Sequence, residues 1–94
     1  PIAAAITFVY PKNGGFIKSQ NIIIEAQIQS QSNLNKIQLL FNNEIADERN
    51  GDLGKSFTYQ FNLVPKKIEL QNSLKIMVVD SSNNETVKEI ILFK

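Results

Sequence analysis

Residues 55–63, Lys55-Ser56-Phe57-Thr58-Tyr59-Gln60-Phe61-Asn62-Leu63, alternate without a break. Phe57, Tyr59, Phe61 and Leu63 fall on one side, and Ser56, Thr58, Gln60 and Asn62 on the other. Successive side chains of an extended chain point to opposite faces, so a period of two describes a strand with one face in a core and one in water. The same period recurs outward from this stretch. Over 21–29, Ile22, Ile24, Ala26 and Ile28 alternate with Glu25, Gln27 and Gln29, and over 36–42 Ile37, Leu39 and Phe41 point one way. Residues 5–10, 73–80 and 86–93 read as three more strands, and Glu44–Asp47 as a short edge strand. No segment places apolar residues at helical spacing for three turns.

Turn formers separate these runs. They are Pro11-Lys12-Asn13-Gly14-Gly15, the polar stretch Ser30 to Asn35, Asn42-Asn43, Arg49-Asn50-Gly51-Asp52 and Ser81-Ser82-Asn83-Asn84-Glu85. Asparagine and glycine tolerate positive φ, which tight turns between strands need. Six or seven antiparallel strands punctuated in this way predict an all-β fold, a sandwich and not a parallel α/β sheet. Strand alternation then predicts the core: Ile6, Phe8, Ile22, Ile24, Ala26, Ile28, Ile37, Leu39, Phe41, Phe57, Tyr59, Phe61, Leu74, Ile76, Val78, Ile90 and Leu92.

Ninety-four residues suffice for one domain and not for two. Residues 1–94 are therefore read as a single domain, with residues 1–4 as the tail of an interdomain linker and the whole as a piece of a longer protein. Ten basic and nine acidic residues are scattered along the chain, for a net charge of +1. That pattern argues against capture of nucleic acid or of an anionic membrane, which needs a basic stripe. No apolar run is long enough to insert into a bilayer. Cysteine, histidine and tryptophan are absent, so neither a disulfide framework nor a thiolate metal site can form.

The usual acid–base and nucleophile pairings need histidine or cysteine, and no Ser-x-x-Lys spacing occurs. No catalytic residue, metal or cofactor is therefore expected. Asp47, Glu48, Asn50 and Asp52 could offer oxygens to calcium, but no carboxylate closes an EF-hand pattern, and a solvated hairpin loop with acids flanking Arg49 is the alternative. Asp80 is expected to cap the turn that follows it rather than hold an ion. Phe57, Tyr59 and Phe61 share a face, which reads as a core stripe before it reads as a sugar platform.

Three stretches resemble the bacterial immunoglobulin-like domains of exported, multidomain proteins. Ile6-Thr7-Phe8-Val9-Tyr10-Pro11-Lys12-Asn13-Gly14 is similar to the family's opening strand and Pro-x-Asn-Gly turn. Lys36-Ile37-Gln38-Leu39-Leu40-Phe41-Asn42-Asn43 looks like its third strand, and Val78-Val79-Asp80-Ser81-Ser82-Asn83-Asn84-Glu85-Thr86 like the end of its sixth. Asn83 stands where the family has glycine, and Phe61 where a tryptophan is common. The resemblance implies an immunoglobulin-like Greek-key sandwich in an extracytoplasmic setting: cell surface, periplasm or secreted. It implies a noncatalytic spacer or interaction module, in some relatives appended to penicillin-binding enzymes. A carbohydrate- or peptidoglycan-binding module and a homophilic or pilus-type assembly domain are the alternatives. The implied partners are neighbouring domains, another protein, or a second copy in weak self-association. The turn residues Pro11, Asn13, Gly14, Asp80, Asn83 and Asn84 carry the resemblance, and Asn83 is expected in the left-handed region.

With the inward set fixed, the outward positions of the third, sixth and seventh strands are Leu40, Met77, Val79, Ile91 and Phe93. The other sheet's outward positions, Glu25, Gln27, Gln29, Thr58, Gln60 and Asn62, are polar. The apolar five are the candidate interaction face, by docking across the face or along the edge of the seventh strand; the alternative is that flanking loops or residues 1–5 fold over and cover them.

Overall fold

The computed structural model describes residues 3–94. Of the linker expectation for residues 1–4, the first two positions lie outside the described residues. Five strands follow in order: β1 (Ala5–Tyr10), β2 (Ile22–Phe41), β3 (Glu44–Leu63), β4 (Gln71–Asp80) and β5 (Glu85–Phe93). All pairings are antiparallel, and they build one curled sheet in which β2 is hydrogen-bonded to β1, β3 and β4, and β5 to β4.

The count of six or seven strands is corrected to five. The stretch Ser30 to Asn35 and the Asn50-Gly51 pair were expected to interrupt the chain. Instead β2 and β3 run through both as 20-residue strands. They form one long hairpin, so bending at these points does not end the ladder. The ladder slips between Gln29 and Leu34 and again between Leu34 and Lys36. On the facing strand, Gly51 (φ 122°) and Gly54 (φ 79°) take backbone conformations open mainly to glycine. Both strands therefore bend at one level, and the sheet folds over on itself.

The bend creates two halves. The first half of β2 lies between β1 and the second half of β3, with Ala26 opposite both Phe8 and Tyr59. The second half of β2 lies between the first half of β3 and β4, with Leu39 opposite both Asp47 and Ile76. The curl brings the chain ends of the sheet together, where the Ala4 N–H donates to Thr86 Oγ1 at 3.2 Å.

The core fills the space between the halves. Fifteen of the seventeen expected core residues are buried; Phe57 and Phe61 are only half-buried and are packed against the core from one side. Among the described residues their strand has β2 on one flank and no strand on the other, so their rings reach the open side. Leu34 and Leu63 join the core. Leu34 was hidden in the expected loop, because its neighbours are serine and asparagine.

Three polar residues, Gln38, Asn72 and Asp80, are also buried. Asn72 is completely buried, yet its amide donates to Glu69 O (2.9 Å) and Leu92 O (3.3 Å). Its carbonyl accepts from the Glu69 N–H (2.8 Å) and the Asn42 amide (3.0 Å). A buried amide is tolerated when its donors and acceptors are satisfied. Asn42 and Asn43, at φ 51° and 68°, make the expected tight turn between β2 and β3.

Candidate interaction face

Leu40, Met77, Val79, Ile91 and Phe93 are each half-buried. The register decides who their neighbours are. Leu40 lies between Ile45 and Lys75, Val79 between Lys36 and Glu85, Ile91 beside Ser73, and Phe93 beside Gln71. Met77 lies between Gln38 and Val87, so Val87 joins Ile45 beside Leu40 and Phe16 beside Phe93 as apolar cross-strand neighbours. The five thus stand in rows with charged and amide side chains, whose stems cover part of their surface. Hydrogen bonds hold that polar frame in place, from Lys75 to Asn43 Oδ1 (2.9 Å), from Ser73 to Glu89 and from Gln38 to Glu48. Hydrogen bonds from Asn50 and Gln38 keep the Glu48 carboxyl below the usual carboxylate range. Val87, which sequence reading did not include, is 51 % exposed and extends the apolar part of the face from Met77 to β5.

The turn residues shape one border of this face. Gly14 has φ 84°, and its N–H donates to Ile91 O at 2.7 Å. Asn13 Oδ1 accepts from the Ile91 N–H (2.8 Å), and the Phe93 N–H donates to Gly15 O (2.8 Å). The Ile17 N–H then donates to Phe93 O (2.7 Å). The segment after Pro11 thereby zips along β5, and the far edge of the last strand is occupied at Ile91 and Phe93. Docking along that edge is corrected accordingly: its backbone groups there are already paired. Phe16, carried on the same segment, sets its ring 6.0 Å from that of Phe93 and is itself 67 % exposed.

At the other end, Asp80 caps its turn as expected. Its Oδ1 accepts from the backbone N–H of Ser82 and of Asn84, both at 2.9 Å, and its Oδ2 from the Asn84 amide at 3.2 Å. The Asn84 backbone bond, above all, holds the Asp80 carboxyl below its ordinary value. Asn83 sits between them at φ 62°, in the left-handed region.

The acidic stretch is not a hairpin loop but part of β3, and strand alternation divides it. Glu48 and Asn50 point outward and bond to each other at 2.9 Å. Asp47 and Arg49 point inward, paired at 2.8 Å. Asp47 Oδ2 also takes the hydroxyl of the fully buried Tyr59 at 2.7 Å, and the Arg49 guanidinium lies 4.8 Å from the Tyr59 ring centre. Burial first, and then the Asp47 carboxylate, push the Tyr59 hydroxyl far above its usual range. Sequence reading missed this triad, although Asp47 and Arg49 stand two residues apart on one strand side. Among the described residues no group of three or more His, Cys, Asp or Glu is placed to hold a metal ion. Among the described residues no helix is long and apolar enough to cross a membrane.

One more concavity was not foreseen. An open groove of about 650 Å³ runs beside β3, lined by Phe41, Ile45, Phe61, Leu63, Val64 and Lys66 among others. Phe61 and Leu63, the end of the alternating stretch that defined the fold, form part of its apolar wall. Tyr59 is removed from any sugar platform by its burial, whereas Tyr10 is 42 % exposed and donates to Glu25 at 3.2 Å. The chain matches no family model, no curated protein and no solved structure.

Proposed function

We propose that this chain is an immunoglobulin-like module of an exported bacterial protein, working by contact with a neighbouring domain and not by catalysis. The observation that carries the reading is the way β2 and β3 each serve both halves of the curled sheet. Divided at its bends, the sheet groups as three segments facing four: β1 with the first half of β2 and the second half of β3, and the first half of β3 with the second half of β2, β4 and β5. In this reading the halves are the two sheets of a Greek-key sandwich, each long strand supplying one strand to both. The Asp80–Asn84 turn, with Asn83 left-handed, supports the same assignment. The carboxylates Asp47, Glu48 and Asp80 hold Tyr59, Gln38 and a turn, which is structural work.

Contact is assigned to the face of Leu40, Met77, Val79, Ile91 and Phe93, with Val87 added. The test is the double change Val79→Lys and Ile91→Lys. Both positions are half-buried, and a lysine stem can lie along the face with its ammonium in water. Unchanged circular dichroism together with lost docking onto the adjacent domain of the longer chain is the expected result. Docking that survives the double change removes the face from the reading. Retention on glycan or peptidoglycan beads that vanishes with Tyr10→Ala moves the domain into the carbohydrate-binding class.

A further inference from the structure

Among the described residues β1, β3 and β5 form the edges of the sheet, and the edge of β3 is the longest. Strand β3 is paired with β2 alone, so its far side is unpaired along its length among the described residues. Such edges invite another strand, and proteins blunt them with charges, proline, bulges, short length or a covering segment. The remaining edges carry these devices. The last strand is covered at Ile91 and Phe93 by the segment after Pro11. The first strand is six residues long and its register shifts between Phe8 and Tyr10. The first half of β3 bears Glu44, Asp47, Glu48 and Arg49 and leads into Gly51. Only Ser56–Asn62 has no charge, no proline, no glycine and no register shift against β2.

The direction of the free groups follows from one contact. Arg49 Nη2 donates to Gln60 O at 3.0 Å, so the Gln60 carbonyl points away from β2. In a strand the N–H and C=O of one residue point to the same side, and alternate residues share it. The amides of Ser56, Thr58, Gln60 and Asn62 therefore face the open edge, and those of Phe57, Tyr59 and Phe61 face β2.

We propose that Ser56–Asn62 pairs with the same segment of a second copy of this chain, antiparallel, about a two-fold axis at Tyr59. The occupant is specified by self-complementarity. An axis at Tyr59 sets Thr58 opposite Gln60 and Ser56 opposite Asn62 on the outer face, and Phe57 opposite Phe61 on the inner face. No like charges meet in that register. The open edge needs a strand with apolar residues at every second position, to cover the half-buried Phe57 and Phe61, and this strand is one. On the outer face it extends a ladder of amides and hydroxyls already formed with β2: Gln29 to Ser56 (3.0 Å), Thr58 to Gln27 (3.0 Å) and Gln60 to Glu25 (2.7 Å). Arg49 approaches the axis with its own counterion, Asp47, at 2.8 Å. The Gln60 carbonyl has a second lone pair for the incoming Thr58 N–H. This surface is distinct from the Val79–Ile91 face, and either can fail without the other.

Sedimentation of the whole chain across a concentration series, read with amide hydrogen exchange, tests the pairing. The expected result is a rise in weight-average mass toward twice the monomer's, with the Thr58 and Gln60 amides slowing as concentration rises. Thr58→Pro removes an N–H that serves only the free edge, a position where proline is tolerated, and should hold the chain monomeric with its fold unchanged. If that variant fails to fold, Thr58→Lys with Gln60→Lys sets lysine against lysine across the axis and should give the same loss. The Val79→Lys and Ile91→Lys pair should leave the mass rise intact. A chain that stays monomeric throughout, or a dimer that survives the changes at Thr58 and Gln60, overturns the proposal. So does a monomer whose Thr58 and Gln60 amides are protected by an unrelated alternating peptide, which would make the edge a site for foreign strands.

Discussion

The two halves of β3 share a strand, a partner and an open flank, and have opposite chemistry. The first half, Glu44–Asn50, is charged at four positions, and the second, Ser56–Leu63, at none. Yet the charged half turns Asp47 and Arg49 inward, where the second half places Tyr59. Inward charges persist there because each is answered: the carboxylate by guanidinium and hydroxyl, the guanidinium by carboxylate, ring and backbone carbonyl. A strand can thus guard its edge with charge in one half and spend its inner face on aromatics in the other, provided the bend between them lets the two inner faces meet.

The comparison breaks first at Tyr59. Tyr59→Ala empties a fully buried site and should lower stability by about 3–5 kcal/mol in denaturant titration. Phe61→Ala, on the same strand but half-exposed, should cost only about 1–2 kcal/mol because less surface leaves water there. Equal losses would mean that the open flank of Phe61 is covered in solution.

Asp47→Ala strikes the link between the halves. It leaves the Tyr59 hydroxyl buried without its acceptor, at a cost of about 1–3 kcal/mol. A double-mutant cycle with Tyr59→Phe should show strong non-additivity, since the two side chains share one bond. Simple additivity would make the halves independent.

The smallest effect is one of pH. The hydroxyl of Tyr59 has a higher pKa folded than unfolded. Its contribution is therefore whole below the unfolded tyrosine value, about 10, and is lost as pH rises above it. Unfolding free energy measured between neutral and strongly alkaline pH should fall more steeply in the wild type than in Tyr59→Phe. Parallel curves would mean that the hydroxyl is neither buried nor held by Asp47 in solution.

Much of this was legible from period-two patterning, because a strand with one wet face writes its orientation into alternate letters. The bounds of β1 came out as observed, and so did the buried sets of β2 and β4 at the positions with regular alternation. What escaped was set by partners far along the chain. Leu34 stands alone among polar residues, and only its place opposite Gly54 and Asp80 makes it core. Asn72 is an ordinary surface letter until Asn42, Glu69 and Leu92 surround it. Polar turn formers at 30–35 and 50–51 marked bends correctly and strand ends wrongly, since a ladder slip can absorb a bend that local propensity reads as a break. The inward pair Asp47 and Arg49 had no period to betray it, because alternation arguments assign charges to water.

The hairpin of β2 and β3 also has a bearing on time. Its arms meet across Asn42-Asn43, so pairing can grow from a two-residue loop outward, each new rung adding little to the closure already made. The bond between Ala4 and Thr86, by contrast, joins positions 82 residues apart. Contacts of that span are the slow ones in a β protein. The expected folding order therefore runs from the middle of the chain to its ends: a bent hairpin first, then β4 and β1 on its two flanks, and last the clasp that brings β5 against the start of the chain.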